Sequence, residues 1–272
     1  MREGRLFVLT TDFGLRDPYV AQVKGVILSE IPEATFLDLT HEIPPQDVRH
    51  GAWVLRTSYA WCPAGAIHLA VVDPKVGTAR RILAARAHGQ MWVGPDNGLL
   101  SWVLRTDPNA QVHSVENPAL RRPHVSSTFQ GRDIMAPSAA RLARGAPLAE
   151  LGPRVDRYEQ IPWPEPSTGA AGTGAAGNLR GQVLLADRFG NLITNIDAAR
   201  LDAWMVKSDG RFRARIAGRE ARGLVTTYAD GEYDEAIALL GSHGFLEIAV
   251  SLGSAAGSLR AGPDAEVVLE HA

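Results

Sequence analysis

The spacing of apolar residues changes its character once along this chain, near residue 164, and that change forces two parts built on different plans. Before it, short apolar runs alternate with helical patterns. Leu6 to Thr10, Thr35 to Leu39 and Ile67 to Val72 are apolar runs that end in polar residues, as strands of a parallel sheet do. Asp17-Pro18 predicts a helix start, with Asp as N-cap and Pro at the first helical position. Val20, Val23, Val26 and Ile27 give that helix its apolar face. Asp47 opens a second helix with Val48, Ala52 and Leu55 on one side. Arg81 to Ala87 and Gln90 to Val93 form a hairpin around His88-Gly89, and Asn97 to Leu104 and Pro137 to Ala143 read as helices. From Pro164 to Gly177 the chain is Pro, Ser, Thr, Gly and Ala with almost no large apolar side chain, a linker or long exposed loop. Beyond it come short strand-like runs: Gly181 to Ala186, Leu192 to Ile196, Phe212 to Ile216, Ala236 to Leu240, Leu246 to Val250 and Glu266 to Leu269.

These patterns predict an α/β protein: a Rossmann-like layered α/β domain over residues 1–163 with a largely parallel sheet, a linker over 164–178, and a small β-barrel or sandwich over 179–272. In open sheets of the first kind, ligands lie beyond the carboxyl ends of the strands. Thr10-Thr11-Asp12, Thr40-His41-Glu42 and Asp73-Pro74 all fall at such ends.

Composition narrows the function classes. With 28 Lys and Arg against 30 Asp and Glu, and no long like-charge run, nothing marks a nucleic-acid or membrane surface. No stretch has the roughly 18 uncharged apolar residues of a membrane span. The N-terminus has neither an apolar h-region nor a small-residue cleavage site, so the expectation is a cytoplasmic protein. The lone Cys62 excludes an intramolecular disulfide or a Cys-based zinc site, and reads as a buried small apolar residue. The chain lacks a phosphate loop, a G-x-G-x-x-G turn, an H-E-x-x-H helix and a G-x-S-x-G elbow. Chemistry without a metal, on a small polar or charged ligand, is the expectation.

Three clusters carry candidate chemistry. Asp12 ends the first strand in Thr11-Asp12-Phe13-Gly14, where its carboxylate either accepts two hydrogen bonds from a ribose diol or caps the turn. Asp73 and Arg80 flank a glycine turn seven residues apart; the Arg either holds the carboxylate ionised and oriented for chemistry or forms a plain loop salt bridge. Asp187-Arg188-Phe189-Gly190-Asn191 crowds a turn between strands, with a stacking face in Phe189 and a donor-acceptor pair in Asn191 suited to a nucleobase edge, or simply Gly-Asn turn chemistry. Elsewhere, Arg132 and Asp133 suit a structural ion pair, Trp53, Trp61, Trp92 and Trp102 suit the core, and the alternation around Glu247 lets it face solvent.

In this order the clusters resemble the S-adenosylmethionine hydroxide adenosyltransferases, hydrolases related to the fluorinating and chlorinating adenosyltransferases. The resemblance runs nearly end to end: T-T-D-F-G, D-L-T-H-E-I-P-P-Q-D-V, V-D-P-x-V-G-T-x-R, V-G-P-D-N-G-L, T-F-x-G-R-D-I-x-A-P, D-x-F-G-N-L-I-T-N and G-S-x-G-x-L-E-I-A-V. It implies an α/β domain followed by a β-barrel, and a homotrimer with ligand between neighbouring subunits. S-adenosyl-L-methionine is then the substrate, and neither a cofactor nor a metal is implied. Asp12 would bind the ribose hydroxyls, Phe189 and Asn191 the adenine, Asp187 the methionine amino group, and Ser242 the methionine carboxylate with His243 beside it. Phe129 belongs to the same substrate-binding set.

The halogenating relatives carry Tyr where this chain has Asp73, whereas the hydrolases carry Asp, an Arg seven residues on, and a His in T-F-H-G-R-D. This chain keeps Asp73 and Arg80 but has Gln130 in place of that His, and Lys75 where Gly is usual. The catalytic set implied is Asp73, Arg80 and Gln130, with water displacing methionine from ribose C5′. The alternatives are a non-catalytic S-adenosylmethionine or adenosine binder, which the Gln keeps open, and a halide-dependent adenosyltransferase.

Overall fold

The computed structural model describes residues 6–169, 177–206 and 211–271; residues 170–176 of the expected linker lie outside them. The chain divides into two compact units, Met1–Pro162 and Trp163–Ala272.

In the first unit the elements are β1 (Leu6–Thr11), α1 (Tyr19–Glu30), β2 (Thr35–Thr40), α2 (Val48–Ser58), β3 (Ile67–Val71), β4 (Ile82–Ala87), β5 (Gln90–Pro95), α3 (Ser101–Leu104), β6 (Gln111–Ser114), α4 (Ala136–Ala143) and α5 (Leu148–Leu151). The sheet order is β2-β1-β3-β5-β4-β6. The expectation of a largely parallel sheet holds only for β2, β1, β3 and β5. The hairpin at His88-Gly89, where both residues have positive φ, turns the rest antiparallel, so β4 runs against β5 and β6.

Period-two alternation explains why both faces are covered. Ile67, Leu69 and Val71 point into a core with Val23, Ile27 and Ala139 from α1 and α4. Ala70 and Val72 point the other way, toward Leu55, Leu99 and Val103. Each fully buried large side chain here contributes roughly 1.5–3 kcal/mol relative to exposure. This two-sided packing fixes the carboxyl ends of β1 and β3, where Asp12 and Asp73 emerge.

Three local expectations need correction. Asp17 does not cap α1: Pro18 holds the cap position, with no side-chain hydrogen bond. Asp47, by contrast, accepts from the His50 amide and caps α2. The helix expected from Asn97 is helical only from Ser101, because Gly98 takes φ +94° and the Asn97 side chain is committed to Val72 O and the Leu99 amide. Trp61 is 83% exposed, and the next residue, Cys62, takes the buried place instead; Trp53, Trp92 and Trp102 are core.

The second unit contains β7 (Ser167–Thr168), β8 (Leu179–Ala186), β9 (Leu192–Asp197), α6 (Ala198–Met205), β10 (Phe212–Ile216), β11 (Arg219–Val225), β12 (Ala236–Leu240), β13 (Phe245–Val250), α7 (Ala255–Leu259) and β14 (Glu266–His271). Strands β14-β10-β11-β12-β13-β9-β8 pair in sequence, and β14 pairs again with β8. The sheet therefore closes as a seven-stranded barrel, with β7 added outside β8. Closure leaves the seven strands no free edge. Leu179, Val183, Leu192, Ile196, Leu246, Ile248, Val267 and Leu269 fill the interior. Among the described residues no helix is long and apolar enough to cross a membrane.

Candidate functional site

Each unit carries a pocket lined by residues singled out in the sequence. In the first unit an open pocket of about 290 Å³ lies at the carboxyl ends of β1 and β3, lined by Asp12, Phe13, Gln46, Asp73, Thr128, Phe129 and Gln130 among others.

Arg80 reaches back across the 73–80 loop. Its Nε donates to Asp73 Oδ1 at 2.8 Å, and its Nη2 forms an ion pair with Asp73 Oδ2. The same Nη2 donates to Gln130 Oε1 at 2.5 Å. Both ionic side chains are almost fully enclosed, 5% exposed for Arg80 and 4% for Asp73. Such a bidentate pair fixes the carboxylate plane. The loop can fold this way because Gly77 takes φ +82° and passes so close to Ser127 O that a Cβ would sit 2.5 Å from it.

Gln130 is held from below. The residues after it, Gly131–Met135, form a π-helical turn leading into α4. Asp133 within that turn takes a bidentate pair from Arg132 at 2.7 and 2.8 Å, and its Oδ2 accepts from the Ser126 amide at 2.9 Å. Burial pushes the Asp133 carboxyl up, but the Arg132 hydrogen bonds and the Ser126 amide outweigh it and hold the group below its ordinary value. Arg132 and Asp133 are thus the ion pair expected, and they tie the 126–130 segment to α4. Phe129 packs edge-on against Phe13 and Tyr19, with ring centroids 5.7 and 5.3 Å apart, and the Arg132 guanidinium lies 4.9 Å from its ring.

Asp12 is partly committed: its Oδ2 accepts from the Gln46 amide at 2.9 Å. His41 sits beneath the strand ends, with Nδ1 2.9 Å from Thr11 Oγ1 and Nε2 3.2 Å from Asp38. It is buried and does not line the pocket. Asn97 ties the β3 end down through Val72 O.

In the second unit a pocket of about 610 Å³ is lined by Asp187, Phe189, Asn191, Ile193, Tyr228, Ser242, His243, Glu247, Val250, Leu252 and Gly253. Asp187 organises its first wall, between β8 and β9. Its Oδ1 accepts from the Phe189 and Asn191 amides, and its Oδ2 from Asn191 Nδ2, each at 2.9 Å. Gly190 takes φ +86° and lies hard against Ser254, leaving no room for a side chain. The result is a tight turn that holds Phe189 out, 77% exposed, while Asn191 is buried. Ser242 is exposed and His243 half-buried, in the turn between β12 and β13.

Two lining residues escape the sequence reading. Glu247 does not face solvent: it is 3% exposed, because all six residues of β13 are buried and alternation loses its usual meaning there. Tyr228 donates to Glu247 Oε2 at 2.8 Å. Burial first, and then Glu247 and Asp187, push its phenol well above the ordinary value. The sequence signal for Glu247 is a single acid inside an otherwise apolar run; Tyr228 carries none. Among the described residues no group of three or more His, Cys, Asp or Glu side chains is placed to hold a metal ion.

Residues 7–152 match the family model described as the SAM hydroxide adenosyltransferase N-terminal domain, and residues 181–268 match that of the C-terminal domain. The chain is 41% identical over 255 residues to the (R)-S-adenosyl-L-methionine hydrolase of Thermus thermophilus, covering 90% of this chain and 91% of that one. It is 29% identical to a fluorinase of an Actinoplanes species, covering 90% of each. An uncharacterized conserved protein from Thermotoga maritima has the same fold, with a TM-score of 0.87 and 34% identity over 97% of this chain and 99% of that one.

Proposed function

This chain belongs to the SAM hydroxide adenosyltransferase family, and from that premise we propose that it hydrolyses (R)-S-adenosyl-L-methionine to adenosine and L-methionine. Four named hydrolases are 32 to 41% identical to it over most of their length, above the 26 to 29% of three fluorinases.

The substrate carries its own activation, since a sulfonium leaves as a neutral thioether. A water oxygen forms a bond to ribose C5′, the C5′–S bond breaks, and its electron pair stays on methionine sulfur. One water proton is released. The site has to align the water behind C5′ and receive that proton. The observation that carries the reading is the enclosed Asp73 carboxylate at the pocket wall, clamped by Arg80. Asp73 accepts a hydrogen bond from the water and then its proton. Its charge also opposes a halide in the same place. Arg80 holds the carboxylate plane, and Gln130 holds Arg80 through its side-chain carbonyl. Gln130 cannot take up a proton at neutral pH, so its part is orientation. Asp12 takes the ribose hydroxyls and Phe129 closes the wall behind them. In the other pocket Phe189 and Asn191 take the adenine, Asp187 the amino group, and Ser242 with His243 the carboxylate of methionine.

We also infer a cytoplasmic homotrimer with the ligand at the subunit interface and no resident cofactor. Phe189 and Leu252 leave apolar surface open, 77% and 90% exposed, which a neighbouring copy would cover. Light scattering of the purified protein reads the subunit number directly.

The deciding experiment incubates the protein with S-adenosylmethionine in chloride-free buffer, with and without added chloride, and separates the products. Adenosine and methionine in both samples are expected. A 5′-chloro-5′-deoxyadenosine peak with chloride would move the chain to the halogenating branch, and retained, unchanged substrate would make it a binder.

A further inference from the structure

Glu247 is the single charged residue in β13 and is buried in the barrel wall. A buried carboxylate is costly unless both its oxygens are matched, and an apolar residue of similar size is often a better structural choice. Here the two oxygens are divided between two loops. Oε2 accepts from Tyr228 Oη at 2.8 Å, and Oε1 lies 2.8 Å from His243 Nε2. Tyr228 belongs to the turn Tyr228–Asp230 after β11, which Asp230 ties down by accepting from the Thr226 and Thr227 amides at 2.9 Å each. His243 belongs to the turn between β12 and β13. The carboxylate occupies the space a side chain would take at position 241, so Gly241 is what admits it.

We propose that Glu247 is a positioning residue for substrate binding: it fixes the Tyr228 ring and the His243 imidazole together as walls of the pocket that holds Phe189, Asn191 and Ser242. This rests on the functional reading of that pocket given above. Glu247 lies at the pocket's floor and takes no part in the displacement at C5′. Its loss therefore acts on affinity and leaves the chemical step alone. A carboxylate serving only the fold would show the opposite pattern, with stability altered and KM untouched.

The test uses steady-state kinetics, together with calorimetric binding of adenosine and of methionine, on Glu247→Ala, Glu247→Gln, Tyr228→Phe and the double variant Tyr228→Phe/Glu247→Ala. Glu247→Ala should raise KM by about tenfold to a hundredfold, the size of a lost charge-assisted hydrogen bond, with kcat within about twofold. Glu247→Gln keeps an acceptor for Tyr228 but loses the carboxylate oxygen that faces His243 Nε2, and should fall between that variant and the unaltered protein. Tyr228→Phe should weaken binding alone yet add almost nothing to Glu247→Ala, because the two remove one interaction. Unchanged KM in Glu247→Ala, a loss confined to kcat, or additive effects in the double variant would overturn the proposal. If Glu247→Ala does not fold, the Glu247→Gln kinetics decide. An unaltered protein that binds neither adenosine nor methionine would sink the functional reading itself, whereas normal binding there and in every variant would sink only the role of Glu247.

Discussion

The two pockets reach order by opposite routes. In the first unit, the side chains of Asp73 and Arg80 come from one loop and that of Gln130 from a stretch fifty residues on, and they meet only because the sheet, the Gly77 turn and the π-helical turn hold them. In the barrel, Asp187 arranges its own turn with three short hydrogen bonds within five residues. The first arrangement leaves a carboxylate enclosed and held by a cation, suited to stabilising a reacting water. The second leaves an aromatic ring displayed on a rigid turn beside a buried, fixed amide, suited to recognition. Both need a glycine pressed against a serine, Gly77 on Ser127 and Gly190 on Ser254. What differs is whether the pocket depends on the whole fold or on a few local bonds.

This division of labour can be broken. Asp73→Asn has the largest expected effect: kcat falls by about 10²–10³-fold, as when a preorganised electrostatic group is removed, while KM stays nearly constant. Equal damage to both constants would erase the distinction between a reacting pocket and a binding one. Next in size is the response to acid. His68, in β3 of the first unit, stacks on Trp92 and bonds Gln90, and burial pushes its imidazole down to about 4. The unfolded chain takes up a proton at ordinary pH values that the folded site refuses, so stability is full above about 6.5 and drains as pH falls toward 4. That amounts to about 3 kcal/mol, and His50, lowered by burial, acts in the same direction. Hydrogen exchange of β3 and β5 amides should therefore quicken in acid before that of β9 and β13. His68→Asn should flatten the difference. An equal response in both sets would show that the acid weakness lies elsewhere. Phe189→Ala should then raise KM about tenfold with kcat kept, the worth of one stacking face. Smallest is Gln130→His: if the one unprotonated nitrogen of a neutral imidazole is left free of Arg80, it adds a proton acceptor beside Asp73, so kcat should rise by about threefold to tenfold. An unchanged rate would mean that Asp73 alone receives the proton.

Legibility in the sequence followed the range of the interactions. The pairing of Asp73 with Arg80 could be read from a spacing of seven across a glycine turn, and the Asp187–Asn191 turn from its own residues, since both are local. Strands β1, β3, β8 and β9 announced themselves through apolar runs. What escaped depended on distant partners. β11 has three charged residues in seven, yet it pairs because the barrel must close. β6 is four residues long and gains its place from β4. Glu247 was read by strand alternation, which fails where both faces of β13 are covered. Trp61 misses its expected place in the core because the 3₁₀ turn after α2 ends on it, while Cys62 is buried as expected. Gln130 entered the catalytic set by resemblance alone, because its carbonyl is committed to Arg80, a partner fifty residues away that no spacing rule reaches.

The environment of Cys62 has one more consequence. The thiol is buried, burial alone pushes its pKa up, and it leans on Ser58 O at 3.6 Å. Thiolates, not thiols, attack electrophiles. A sulfonium substrate is an alkylating agent, able to hand a methyl group to any competent sulfur nearby. By keeping its single cysteine protonated and out of reach, this protein can hold such a reagent through many turnovers without being marked by it. Its mass should therefore stay constant during prolonged incubation with the substrate.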